Sequence, residues 1–195
     1  MMIILLVFLV VVIGLAIAGY RTSRAGYESA PYKVVRTDGK FELRDYPTLT
    51  VVETHMGRSS NSADSGFMRL FRFITGQNAA NQKIAMTTPV FMSGSDTNLT
   101  MAFVMPATMK TSQVPKPSDG ELMVRELEPG RFAVWRFSGG RNAMNESKAE
   151  AQLKAWMTAQ GLKAVSGPVY GYFDPPWTPP FLRRNEVMLR TDVER

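Results

Sequence analysis

The first pattern along the chain is an apolar run without a break. Residues 2–19 read MIILLVFLVVVIGLAIAG and carry no charge. Eighteen residues at the helical rise span ~27 Å, close to the hydrocarbon thickness of a bilayer. A helix of a soluble domain keeps a polar face, and this run has none. The pattern predicts a membrane anchor over residues 1–20 or, as the alternative, a secretory signal. Ala16-Ile17-Ala18 before Gly19 has the small-x-small form of a cleavage site. The start lacks the basic side chains of a signal sequence and the run is long, which favours an uncleaved anchor. Arg21 and Arg24 after the run point to a cytoplasmic domain, but domains of this size also cross, so either side of the membrane stays open. Residues 21–31 are small and polar and suit a tether, leaving 32–195 as the domain.

In that domain the alternation of apolar and polar positions occurs twice. One half opens with FELRDYPTLTVVETHMGR from Phe41, the other with LMVRELEPGRFAVWRFSGGR from Leu122. Arg44-Asp45 corresponds to Arg125-Glu126, Pro47 to Pro129, and Gly57-Arg58 to Gly140-Arg141. Each opening leads to a helical stripe: Phe67, Leu70, Phe71 and Ile74 in one half, Ala149, Leu153, Trp156 and Met157 in the other. Asp64 and Gly76 bracket the first stripe, Asn145 and Gly161 the second. Two strands close each unit, over 84–92 and 99–105, then over 169–173 and 186–190. Hairpins are expected at Tyr46-Pro47 and Pro129-Gly130, and the Pro-, Ser- and Lys-rich stretch 110–120 reads as the linker. One helix and four strands make a poor core alone, so the halves should pack together. The fold class expected is α+β, an antiparallel sheet or distorted β-barrel flanked by two helices.

Composition narrows the chemistry. The chain has no cysteine and one histidine, His55, so thiol catalysis and Cys-ligated metals are excluded, and a catalytic triad would need His55 as its base. No nucleophile elbow, phosphate-cradling loop or zinc-binding helix motif is present, and the chain reads as a non-enzyme. Asp45 and Glu126 could pair as carboxylates, although each follows an arginine and salt bridging is simpler. The net charge of +6 lies wholly after residue 20 and suits anionic ligands or lipid head groups; without a dense basic run, nucleic acid is not an expected partner.

Four segments in this order, LRDYP, the helix ending ITGQN, IAMTTPV and YFDPPWTPPFLRRNEVML, resemble the SOUL haem-binding family over the whole domain from about Tyr32. The resemblance implies a distorted barrel of duplicated units that binds haem or another tetrapyrrole in an apolar cleft beside the first helix. The matching helix positions are Phe67, Phe71 and Arg72, and the loop with Trp177, Arg183 and Arg184 borders the same cleft. A flat macrocycle needs aromatic walls, and its propionates need cations at the rim. Phe67 and Phe71 also lie on the core stripe, and Arg72 and Arg184 could instead be surface charges or partners of Asp174. Some members carry an iron-binding histidine after the arginine of the first opening strand; Asp45 stands there, ten residues before His55. The resemblance therefore implies haem b without an axial histidine. No metal ligand is assigned, His55 being the one histidine to consider; Met86, Met92, Met101 and Met105 read as core. Two other readings stand beside this one: an effector-binding module for another apolar ligand, like the duplicated domains that resemble gyrase inhibitors, or a membrane-bound interaction protein without a ligand.

Overall fold

The computed structural model describes residues 24–56, 62–94 and 98–192, together with Leu6, Phe8, Leu9 and Val12. The anchor expected over 1–20 therefore lies almost wholly outside the described residues. No helix among the described residues is long and apolar enough to cross a membrane.

The strands are β1 (Glu28–Ser29), β2 (Lys33–Asp38), β3 (Phe41–Tyr46), β4 (Leu49–Met56), β5 (Thr87–Thr88), β6 (Val90–Ser93) and β7 (Leu99–Val104), then β8 (Leu122–Leu127), β9 (Gly130–Phe137), β10 (Val169–Tyr172) and β11 (Asn185–Arg190). Helix α1 (Ser62–Ile74) follows β4, and α2 (Ala143–Ala159) follows β9. Among the described residues, β1 and β5 form a short parallel pair, and nine strands form one antiparallel sheet in the order β2-β3-β9-β11-β10-β6-β7-β4-β8. Leaving out β2, that order is a palindrome of the repeat: β3 matches β8, β9 matches β4, β11 matches β7, and β10 meets β6 at the centre.

Two expectations are corrected here. The sheet is open, with β2 and β8 at its edges, and is not a closed barrel. The two proline turns do not make hairpins. β3 pairs with β9, setting Tyr46 opposite Gly130, and β4 pairs with β8, setting Leu49 opposite Leu127. Pro47 and Pro129 have no N–H to continue a ladder, and each half hands its first strand to the other. Local hairpins would have left two small sheets without a shared core. The exchange joins them into one.

Both helices cover the same face. Under α1 lie Val52, Met56, Met92, Met101, Phe103 and Met105, packed against Leu70, Phe73 and Ile74. The buried stripe of α1 thus takes Phe73 and leaves Phe71 outside. Gly66 lets α1 lie close to β4, since a Cβ there would come within 2.5 Å of Met56 Sδ. Gly76, with φ of +115°, ends α1 as its spacing predicts, and Gly161, with φ of +72°, follows α2. Helix α2 is capped one turn earlier than expected, by Asn142, whose side chain accepts from the Asn145 N–H.

The tether expected over 21–31 is docked from Arg24 onward. Ala30 is buried, its N–H donates to the Thr88 carbonyl, and Glu28 accepts from the Ala107 N–H. The stretch read as a linker is also tied down, its Lys116 carbonyl accepting from the Ala79 N–H after α1.

Candidate functional site

Phe67 and Phe71 sit one turn apart on α1, where i and i+4 side chains meet. Their rings stack with centroids 6.0 Å apart, and Phe67 also meets the edge of Phe103 on β7. Phe67 is half-buried, Phe71 is 39% exposed and Met68 beside them is 44% exposed. The next residue, Arg72, is exposed and has no ion-pair partner among the described residues. The outer side of α1 is therefore apolar and aromatic with an uncommitted cation at its end. Beneath it the core is rich in methionine, which adapts its packing.

The loop between β10 and β11 holds the other three residues of the expected cleft. Trp177 is 68% exposed and makes no ring contact among the described residues. Arg183 is turned into its own loop, donating from Nε to the Thr178 carbonyl (2.7 Å) and from a terminal nitrogen to that of Pro176 (2.5 Å). Arg184 donates to Glu186 at 2.6 and 2.9 Å and lies over the Phe173 ring. Neither guanidinium stands free at a rim.

Glu186 is the centre of an ionic cluster that residue spacing did not announce. It is fully buried, and Arg44, 1% exposed, donates to both of its oxygens at 2.7 and 3.0 Å. Burial opposes its ionisation, and the hydrogen bonds and charges of Arg44 and Arg184 outweigh that, holding the carboxyl below its ordinary range. Tyr46, sealed in the same cluster, is pushed up to about 12, chiefly by burial. Asp45 and Glu126 do not face each other as paired carboxylates; Asp45 is salt-bridged, the simpler expectation, though by Arg131 at 2.7 and 2.9 Å, and Thr111 donates to Glu126.

His55 is exposed on β4 between Thr54 and Met56, the two side chains that meet α1 at Gly66. Strand alternation puts His55 on the opposite face of the sheet, away from Phe67 and Phe71. No group of three or more His, Asp or Glu that could hold a metal occurs among the described residues.

Two hollows flank the central strands. One, of about 660 Å³, lies beside the start of α2 and is lined by Arg141, Glu146, Glu150, Tyr170 and Tyr172 among others. Tyr172 donates to Glu146 at 2.5 Å and Tyr170 to Glu150 at 3.3 Å. Burial first, and then these carboxylates, raise both phenols above their ordinary value. Carboxylates at the rim disfavour an anionic ligand. The other hollow, about 180 Å³, lies on the sheet face away from the helices, between Tyr46, Phe91, Leu127, Phe132, Val169 and Met188.

The palindromic sheet with a helix on each half defines a class, the duplicated α+β scaffold. Solved structures show the same fold. The EcmrR C-terminal domain matches with a TM-score of 0.61 at 11% identity, over 84% of this chain and 99% of that one. A hydrolase from Listeria innocua matches at 0.55 and 12%, over 81% and 94%. An uncharacterized conserved protein from Listeria innocua matches at 0.59 and 13%, over 78% and 92%. At these identities the likeness is one of fold alone. Within the class, the chain belongs to the family described as "SOUL heme-binding protein", which it matches over residues 27–190. No curated protein matches it.

Proposed function

We propose that this protein binds haem or a related tetrapyrrole against the outer face of α1, as a membrane-tethered carrier, buffer or sensor, without catalysing a reaction. The observation that carries the proposal is the stacked, partly exposed Phe67–Phe71 pair beside Arg72, in a chain of a haem-binding family. A flat macrocycle lies on such an aromatic pair, and an exposed guanidinium answers a propionate. With His55 on the other sheet face, contact with the α1 face rather than an axial histidine holds the ring. Arg183 and Arg184 serve as positioning residues that keep the loop between β10 and β11 in shape. The tether is supported by the charge-free run over residues 2–19.

Haemin titrated into the full chain in detergent, followed by the Soret band and tryptophan quenching, tests this. Phe71→Ala and Arg72→Gln are each expected to weaken binding about ten-fold, ~1.4 kcal/mol. No saturable Soret change, or one untouched by both substitutions, overturns the proposal.

The 180 Å³ cavity between the halves favours a second reading, an effector-binding module. It is smaller than the ~300 Å³ at which pockets for drug-sized ligands begin, so it suits a small apolar ligand and not a tetrapyrrole. A thermal-shift panel of small amphiphiles, repeated with Phe132→Trp to fill the cavity, separates the two readings.

A further inference from the structure

The loop between β10 and β11 exposes Trp177 (68%), Phe181 (75%) and Leu182 (57%). It is a stiff loop. Four prolines fix its backbone, the Thr178, Leu182 and Arg183 N–H groups donate to carbonyls of Pro175, Pro179 and Pro180, and Arg183 bonds two more carbonyls. The Gly139 N–H donates to the Pro180 carbonyl and ties the loop to the sheet. Three large apolar side chains on one rigid loop mark a surface that meets a partner or a membrane.

The chain itself indicates which. Arg24 binds both oxygens of Asp174 at 2.9 and 2.8 Å and the Leu182 carbonyl at 3.2 Å. The Asp174 side chain is 3% exposed and also accepts from the Arg184 N–H. This latch fixes the N-terminal segment to the loop that displays the apolar side chains. Gly19, the end of the apolar run, lies five residues before Arg24, so even full extension keeps the two within ~18 Å.

We propose that loop 174–184 is a membrane wedge whose Trp177, Phe181 and Leu182 enter the interfacial layer of the bilayer that holds the apolar run. The occupant is lipid. Tryptophan favours that layer because its ring is apolar and its N–H polar. The proposal rests on the reading of residues 1–20 as an anchor, and the Arg24–Asp174 latch sets the domain's orientation on the membrane.

The chain has no cysteine, so Trp177→Cys, Phe181→Cys and, as a control, Met144→Cys can each carry one nitroxide label. Met144 is 80% exposed on α2. The full-length variants are reconstituted into vesicles of phosphatidylcholine with a minority of phosphatidylglycerol. Collision with oxygen and with a water-soluble nickel chelate is then measured, alongside alkaline carbonate extraction. Labels at 177 and 181 are expected to meet oxygen far more than nickel, and the label at 144 the reverse. Nickel access at 177 and 181 equal to that at 144 overturns the wedge, and in a carbonate-resistant chain it does so with the anchor intact. Protection from both probes marks protein over the loop and also overturns it. Labels in lipid on a carbonate-extracted chain overturn the anchor and with it the wedge as stated, the loop then meeting lipid without the apolar run.

Discussion

The two halves share one plan and finish it differently. On the α2 side the aromatic rings close on one another. Phe41 stacks on Trp156 at 5.1 Å and on Trp135 at 6.0 Å, Trp135 stacks on Phe137, and Trp156 Nε1 donates to Asp38. Polar pairs such as Glu150–Lys154 cover the outside. On the α1 side the two phenylalanines stack on each other and stay partly open, over methionines. Duplication thus supplies the scaffold twice, and the candidate site lies where one copy leaves an aromatic pair partly exposed, whereas the hollow beside α2 is edged by Glu146 and Glu150.

That contrast can be broken in several places. The largest effect is expected where the halves are joined. Glu186→Gln takes from buried Arg44 its fully buried anion, leaving the partly exposed Glu42 at 2.6 Å as its remaining carboxylate, and should cost about 3 kcal/mol in urea unfolding at neutral pH. The Glu186 carboxyl is depressed in the folded state, so its stabilisation is present above the unfolded value of about 4.3 and disappears as pH falls through the folded one. The gap between wild type and variant should therefore narrow on acidification below about pH 4; a gap independent of pH contradicts the ionic account. Next, Trp156→Ala should cost about 3 kcal/mol by opening the sealed stack, seen as a lowered Tm with haemin binding unchanged. Removing the α2 cap in Asn142→Ala should cost about 1 kcal/mol. Smallest in stability is Phe71→Ala, about 0.5 kcal/mol for a side chain this exposed, although of these four substitutions it is the one expected to weaken haemin binding. If Phe71→Ala unfolds the protein as readily as Trp156→Ala, the two halves are equally sealed and the contrast fails.

The sequence by itself determined the repeat, both helices, the closing strands over 99–105, 169–173 and 186–190 and the family, because these depend on local periodicity and short-range turn chemistry, while the strand expected over 84–92 is split at Pro89 into β5 and β6. It showed the aromatic positions of α1 as residues but not as surfaces: Phe71 fits a helical stripe as well as Phe73 does, and only the angle at which α1 meets the sheet chose between them. Strand exchange was likewise hidden. A proline between two strands reads as a hairpin, and nothing local indicates that Tyr46 will face Gly130. The buried Arg44–Glu186 pair, 142 residues apart, formed for the same reason. Partners so distant are selected by the global packing of the sheet, which alone determines which charges lose their water and must find each other.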